Sequence, residues 1–148
     1  MNYLIDTCVL SECVKKTPNP LVAEWFNQQQ PEQLFLSSIT IAEIKKGLYK
    51  IKSTQPERFQ TLEQWLNTIE VKFLNRILPI TDAILDEWAE ISANAELHGQ
   101  TLAVMDSLIA ATAHQHRATL VTRNVDDFKS THVKIINPYS AHDPSKMT

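Results

Sequence analysis

Residues 3–12 read YLIDTCVLSE, and the fold turns on how this stretch is read. Tyr3, Leu4 and Ile5 form a short apolar run of the kind that makes a buried strand. Asp6 follows at once, and a helical pattern with Val9, Leu10, Cys13 and Val14 on its inner face is expected over Thr7 to Lys16. A carboxylate at the carboxyl end of a central strand sits at the mouth of an open α/β sheet, where such folds bind ligands. Read alone, Asp6 is first of all a cap for the following helix, a role Asp fills well.

The rest of the chain changes that ranking. Leu34–Ser37, Ile77–Ile80, Thr119–Thr122 and Val133–Ile136 read as further short strands. Helices are expected over Leu21–Gln29, Thr40–Lys52, Pro56–Phe73, Thr81 or Asp82 to His98, and Val104–His116. Thr40 with Glu43 three residues on has the form of a capping box. Gly99 reads as a helix stop. Strands separated by helices imply an α/β fold, with a mostly parallel central sheet of about four to five strands flanked by helices. Residues 40–98 carry several helices and few strands, and a helical lobe from the middle of the chain is expected. The whole of 1–148 reads as a single domain, with 137–148 a loosely held polar tail.

The composition is that of an ordinary globular protein of 148 residues, 43% hydrophobic and 21% charged. With two glycines and no Gly-rich motif, a phosphate loop is not expected. The apolar runs are too short to cross a membrane. The N-terminus lacks the regions of a signal peptide, so the expected location is cytoplasmic. Cys8 and Cys13 have no second pair to complete a zinc site and read as reduced, at least partly buried thiols. Trp25, Phe26, Phe59, Trp65 and Trp88 are many large side chains for such helices, as core or as interface.

The net charge of −3 argues weakly against a nucleic-acid partner, until the acids are placed. Asp6 follows the first strand, and Glu43 rides the helix after the second. Asp106 opens the helix before the fourth, and Asn124 and Asp127 follow that strand. Carboxylates converging at one edge repel one another unless a cation lies between them. Oxygen donors without His or Cys suit Mg²⁺ or Mn²⁺, and such an ion is suited to phosphodiester hydrolysis. Setting those four acids aside leaves fewer acidic residues than the 14 basic ones. Lys45, Lys46 and Arg123, beside site positions in sequence, are the candidates for holding the substrate's phosphates.

Four segments together resemble the PIN-domain ribonucleases of the VapC toxin type, FitB-like members above all: IDTCVLSE at 5–12, SSITIAEIKKGL at 37–48, MDSLIAATAHQH at 105–116 and LVTRNVDDF at 120–128. The resemblance implies a PIN-like fold and a metal-dependent endoribonuclease that acts as the toxin of a toxin–antitoxin pair. It makes Asp6, Glu43, Asp106 and Asp127 the catalytic and metal-site acids. Asn124 stands where some relatives place an aspartate and is read as a neutral ligand. Thr7 and Ser107 match positions that support the carboxylates through their hydroxyls. Cys8 replaces the usual Asn or Ser, a departure read as packing. The implied partners are RNA, a VapB-like antitoxin and a second copy of the chain, with a toxin–antitoxin hetero-oligomer and no membrane. The alternative is a degenerate PIN domain that binds RNA or a protein without cutting.

Overall fold

Strand β1 (Tyr3–Ile5) lies at the centre of a five-stranded sheet. The structure, a computed structural model, describes residues 1–140. Strand β1 pairs with β2 (Leu34–Ser37) on one side and with β4 (Thr119–Val121) on the other. Beyond them lie β3 (Ile77–Leu78) and β5 (Ile135–Ile136), giving the order β3-β2-β1-β4-β5, all parallel. The strands are shorter than the sequence suggested at β3 and β5, where Pro79 and the turn before Ile135 limit the pairing.

Side chains alternate across β1. Tyr3 and Ile5 enter one core layer and Leu4 the other, as the period of a strand requires. The first layer is built with α1 (Thr7–Glu12), α2 (Pro20–Asn27), α3 (Ser38–Ile51) and α4 (Pro56–Lys72), which contribute Val9, Trp25, Leu48 and Leu66. The second is built with α6 (Val104–Gln115) and α7 (Val125–Phe128), through Ile109, Ala110, Ala113 and Phe128. The small side chains of α6 let its backbone lie close to the sheet. Helix α5 (Asp82–Leu97) packs chiefly on α6, and α4 packs on α3. The middle of the chain therefore contributes one helix pair and one outer helix. Burying Leu4 and Ile5, both fully enclosed, stabilises the fold by about 1.5–3 kcal/mol each.

Several local expectations need correction. Helix α1 ends at Glu12, not Lys16, because from Cys13 onward the backbone closes i→i−3 bonds, Cys13 to Leu10 and Lys15 to Glu12. Cys13 is exposed, while Cys8 is half-buried. Helix α3 starts at Ser38, with Ser37 Oγ accepting from Ile39 N–H at 3.0 Å. The capping box proposed for Thr40 and Glu43 therefore does not form, since both residues lie inside the helix. Trp25 and Phe59 are core, and Phe26 and Trp65 pack partly buried against it. Asn137–Ser140, expected as the start of a loose tail, are docked: Pro138 is buried, and the Tyr139 hydroxyl donates to Cys8 O at 3.3 Å. The remainder of that tail, 141–148, lies outside the described residues.

A candidate active site at the carboxyl edge of the sheet

From β1 the chain moves outward through β2 and β3, then returns to β4 on the other side of β1. That reversal opens a crevice at the carboxyl ends of β1 and β4, the usual ligand position in such sheets. Asp6 leaves β1 into this crevice and Thr122 leaves β4 beside it. The Asp6 N–H bonds Val121 O at 2.9 Å, so the two strand ends stay joined.

Asp6 is only 5% exposed, and a buried carboxylate needs donors. Its Oδ1 accepts from Thr7 N–H at 2.8 Å and its Oδ2 from Thr122 Oγ1 at 2.7 Å. Thr122 is wholly buried, and its hydroxyl also accepts from Asn124 N–H at 3.0 Å. Asp6 does cap α1, so the simplest reading of it was correct but incomplete. The Cys8 thiol lies 3.5 Å from Asp6 Oδ2 and 3.8 Å from Thr122 Oγ1. Burial, then the charge of Asp6, raise its pKa, so the thiol stays protonated and donates to the carboxylate. Cys8 is thus more than packing.

Glu43 points out of α3 toward β1. Its Oε1 accepts from Thr7 Oγ1 at 2.8 Å, and Thr7 Oγ1 also lies 3.1 Å from the buried Thr40 Oγ1. Thr7 therefore bridges Asp6 and Glu43, its backbone holding one and its hydroxyl the other. Asp106, in the first turn of α6, is half-buried. Burial pushes its pKa up, and the charges of Asp6, Asp127 and Glu43 push it further, in that order. Asp106 thus feels the charges of the other three acids through space. Asp127 sits exposed in α7, with Asn124 at that helix's start. Asp126 turns away to Lys129, 2.7 Å from it.

Among the described residues, no three acidic, His or Cys side chains are gathered closely enough to form a ready-made metal site. The donor set nonetheless fits a hard divalent cation: four carboxylates in one field, the repulsion registered at Asp106, and Asn124 alongside.

Not every expected residue takes its expected role. Ser107 Oγ donates to Val104 O at 2.9 Å and accepts from Trp88 Nε1 at 2.9 Å. It steadies the turn that carries Asp106 and hydrogen-bonds none of the site's carboxylates. Lys45 and Lys46 are exposed on α3 beside Tyr49 and Lys50, with no ion pair to the site acids. Arg123 follows Thr122 beyond the end of β4, its guanidinium 4.9 Å from the Tyr139 ring centre. A cavity of about 590 Å³ lies elsewhere, lined by His114, Arg117, His132 and Lys134 and by none of the expected site residues. Thr122 and Thr40 are the residues that sequence reasoning missed. The only available signal for Thr122 was a hydroxyl at the end of the strand beside the one that delivers Asp6.

A five-stranded parallel sheet of this order, with acids gathered where β1 and β4 end, defines an α/β domain built for chemistry at that edge. The PIN-domain family profile matches residues 3–134, and the chain belongs to that family. It is 35% identical to Toxin FitB of Neisseria gonorrhoeae over 95% of this chain and 99% of that one. It is 33% identical to VapC ribonuclease Y4jK of Sinorhizobium fredii, over 92% of this chain and 96% of the relative. The solved structure of FitAB bound to a DNA fragment contains a chain that superposes with a TM-score of 0.88. The identity is 32%, covering 95% of this chain and 98% of that one.

Proposed function

We propose that the protein is an endoribonuclease dependent on Mg²⁺ or Mn²⁺, acting in the cytoplasm as the toxin of a VapBC-type pair. The observation that carries this reading is the shared field of four carboxylates, felt at Asp106, at the mouth between β1 and β4. Relatives named as a VapC ribonuclease and a toxin support the reaction and the role. No helix among the described residues is long and apolar enough to cross a membrane.

When bound, the cation supplies positive charge for the scissile phosphate and makes a water molecule more acidic. Asp6, Glu43, Asp106 and Asp127 would hold it, with Asn124 as a neutral oxygen donor. The chain's own contribution is order. Thr7 and Thr122 fix both oxygens of Asp6, and Thr7 fixes Glu43, so two ligands are set before any ion arrives. Asp106, whose carboxyl is held above its ordinary range by burial and by the other three charges, is the ligand whose repulsion a bound cation would relieve. Lys45 and Lys46 would draw the RNA backbone toward α3.

The expected partners are a VapB-like antitoxin and a second copy of the chain. An antitoxin Arg or Lys entering this acidic mouth would make charge-assisted hydrogen bonds in place of the cation. The test is cleavage of single-stranded RNA by the purified protein. Cleavage is expected with Mg²⁺ or Mn²⁺ and none in EDTA. RNA cut equally well in EDTA would refute the mechanism, and RNA bound but never cut would favour the non-cleaving alternative.

A further inference from the structure

Glu12 is a buried carboxylate that the site chemistry leaves unused. It is 4% exposed, at the end of α1 and six residues beyond Asp6. Burial alone would raise its pKa. Hydrogen bonds from Lys15 and Tyr139, the charge of Lys15 and a backbone N–H from Asn19 outweigh this, and the net shift is downward. The carboxylate is therefore kept ionised by donors assembled around it. Lys15 Nζ, 3.2 Å away, is largely solvated, whereas Tyr139 comes from the far end of the described chain.

Tyr139 arrives there because β5 ends beside β4. Ile136 pairs with Val121, and Thr122 N–H bonds Ile136 O at 3.0 Å. Asn137 Oδ1 then accepts from Tyr139 N–H at 2.9 Å, turning the chain back over the carboxyl edge. The phenol lies between two acceptors, the Glu12 carboxylate and Cys8 O. Burial and the nearby charge of Glu12 keep it protonated, so it remains a donor. Its ring face is turned to Arg123, whose guanidinium lies 4.9 Å from the centroid.

Arg123 follows Thr122, the residue that bonds Asp6. Its backbone N–H hydrogen-bonds the Cys8 thiol. Among the described residues it forms no ion pair, although its neighbour in sequence, Thr122, bonds the buried Asp6. The ring holds the cation by its π-face without neutralising it. A guanidinium kept in place with its hydrogen-bond donors free suits a phosphate group, which it can meet bidentately.

We propose that Arg123 grips a backbone phosphate of the RNA at the mouth of the site, and that Tyr139 and Glu12 are positioning residues that aim it. The inference deepens the nuclease reading and rests on it for the identity of the ligand. It assigns the segment after β5, which carries no metal-site acid, a part in substrate binding.

The test is binding of a short fluorescein-labelled single-stranded RNA in EDTA, followed by anisotropy, in a double-mutant cycle. Arg123→Ala should weaken binding about tenfold, and Tyr139→Leu about threefold. Tyr139→Leu in the Arg123→Ala background should add nothing, because the ring acts through the guanidinium. Tyr139→Phe, which keeps the ring face but frees it from Glu12 and Cys8, should fold where Tyr139→Leu does not; its loss should be smaller than that of Tyr139→Leu and should likewise vanish in the Arg123→Ala background. A loss at Tyr139 that persists undiminished without Arg123 would overturn the proposal, as would undisturbed binding by Arg123→Ala. Cleavage with Mg²⁺ is scored separately. RNA held through Arg123 but never cut would sink the nuclease reading and leave this inference standing; RNA cut by wild type and bound unchanged by Arg123→Ala would do the reverse.

Discussion

Asp6 and Glu43 are held by hydroxyls and a backbone amide, whereas no hydrogen bond among the described residues reaches the carboxyl oxygens of Asp106 or Asp127. The first pair lies against β1 and β2, where strand ends supply donors at fixed positions. The second pair sits on α6 and α7, where Asp106, already disfavoured as an anion by burial, also feels the charges of Asp6, Asp127 and Glu43. The difference teaches how such a site divides its work. The bonded half sets geometry before any ligand arrives. The unbonded half stores repulsion that a cation would relieve.

The largest expected effect comes from removing a charge in the bonded half. Asp6→Asn should lower RNA cleavage by at least about a hundredfold while circular dichroism shows an unchanged fold. Cleavage within a few-fold of wild type would mean that the bonded half is a helix cap and nothing more. A smaller loss is expected when the charge stays and its support goes. Thr122→Val should cost roughly ten- to a hundredfold in activity, as loss of a bond behind a ligand does. Ser107→Ala, which releases only Trp88 and a helix carbonyl, should cost less than about threefold. Equal losses for the two variants would erase the distinction between the halves.

The unbonded half shows itself in stability. Because the folded pKa of Asp106 is raised, the folded protein holds that proton more tightly than the unfolded chain does. The stability this provides is fully present below the ordinary value of 3.8 and is lost as pH rises through the folded pKa. In EDTA at neutral pH, Asp106→Asn should therefore melt at a higher temperature than wild type, with no gain at acid pH. A melting temperature that falls, or a gain that persists at low pH, would show that Asp106 feels no such repulsion.

Much of this organisation was legible in the sequence, for reasons tied to particular residues. The apolar triplet before Asp6 and the alanine-rich helix after Asp106 are local patterns, and they fixed the centre of the sheet and its closest helix. Thr40 and Glu43 misled because a capping box and a buried hydroxyl beside a site glutamate look alike along the chain; Ser37, at the end of β2, had already taken the capping role. The bond from Thr122 to Asp6 spans 116 positions, and no local pattern reports a partner so distant. Tyr139 was read as tail for the same reason: its acceptors, Cys8 O and the Glu12 carboxylate, both lie in α1, at the opposite end of the chain.

The central claim is that the bonded and unbonded halves serve one cation. Direct titration with Mn²⁺, followed by loss of the free-ion paramagnetic resonance signal, tests it without reference to RNA. Wild type should take up Mn²⁺, and both Asp6→Asn and Asp106→Asn should bind it at least about tenfold more weakly. Uptake that is absent in wild type, or unchanged when either half loses its charge, would contradict the account.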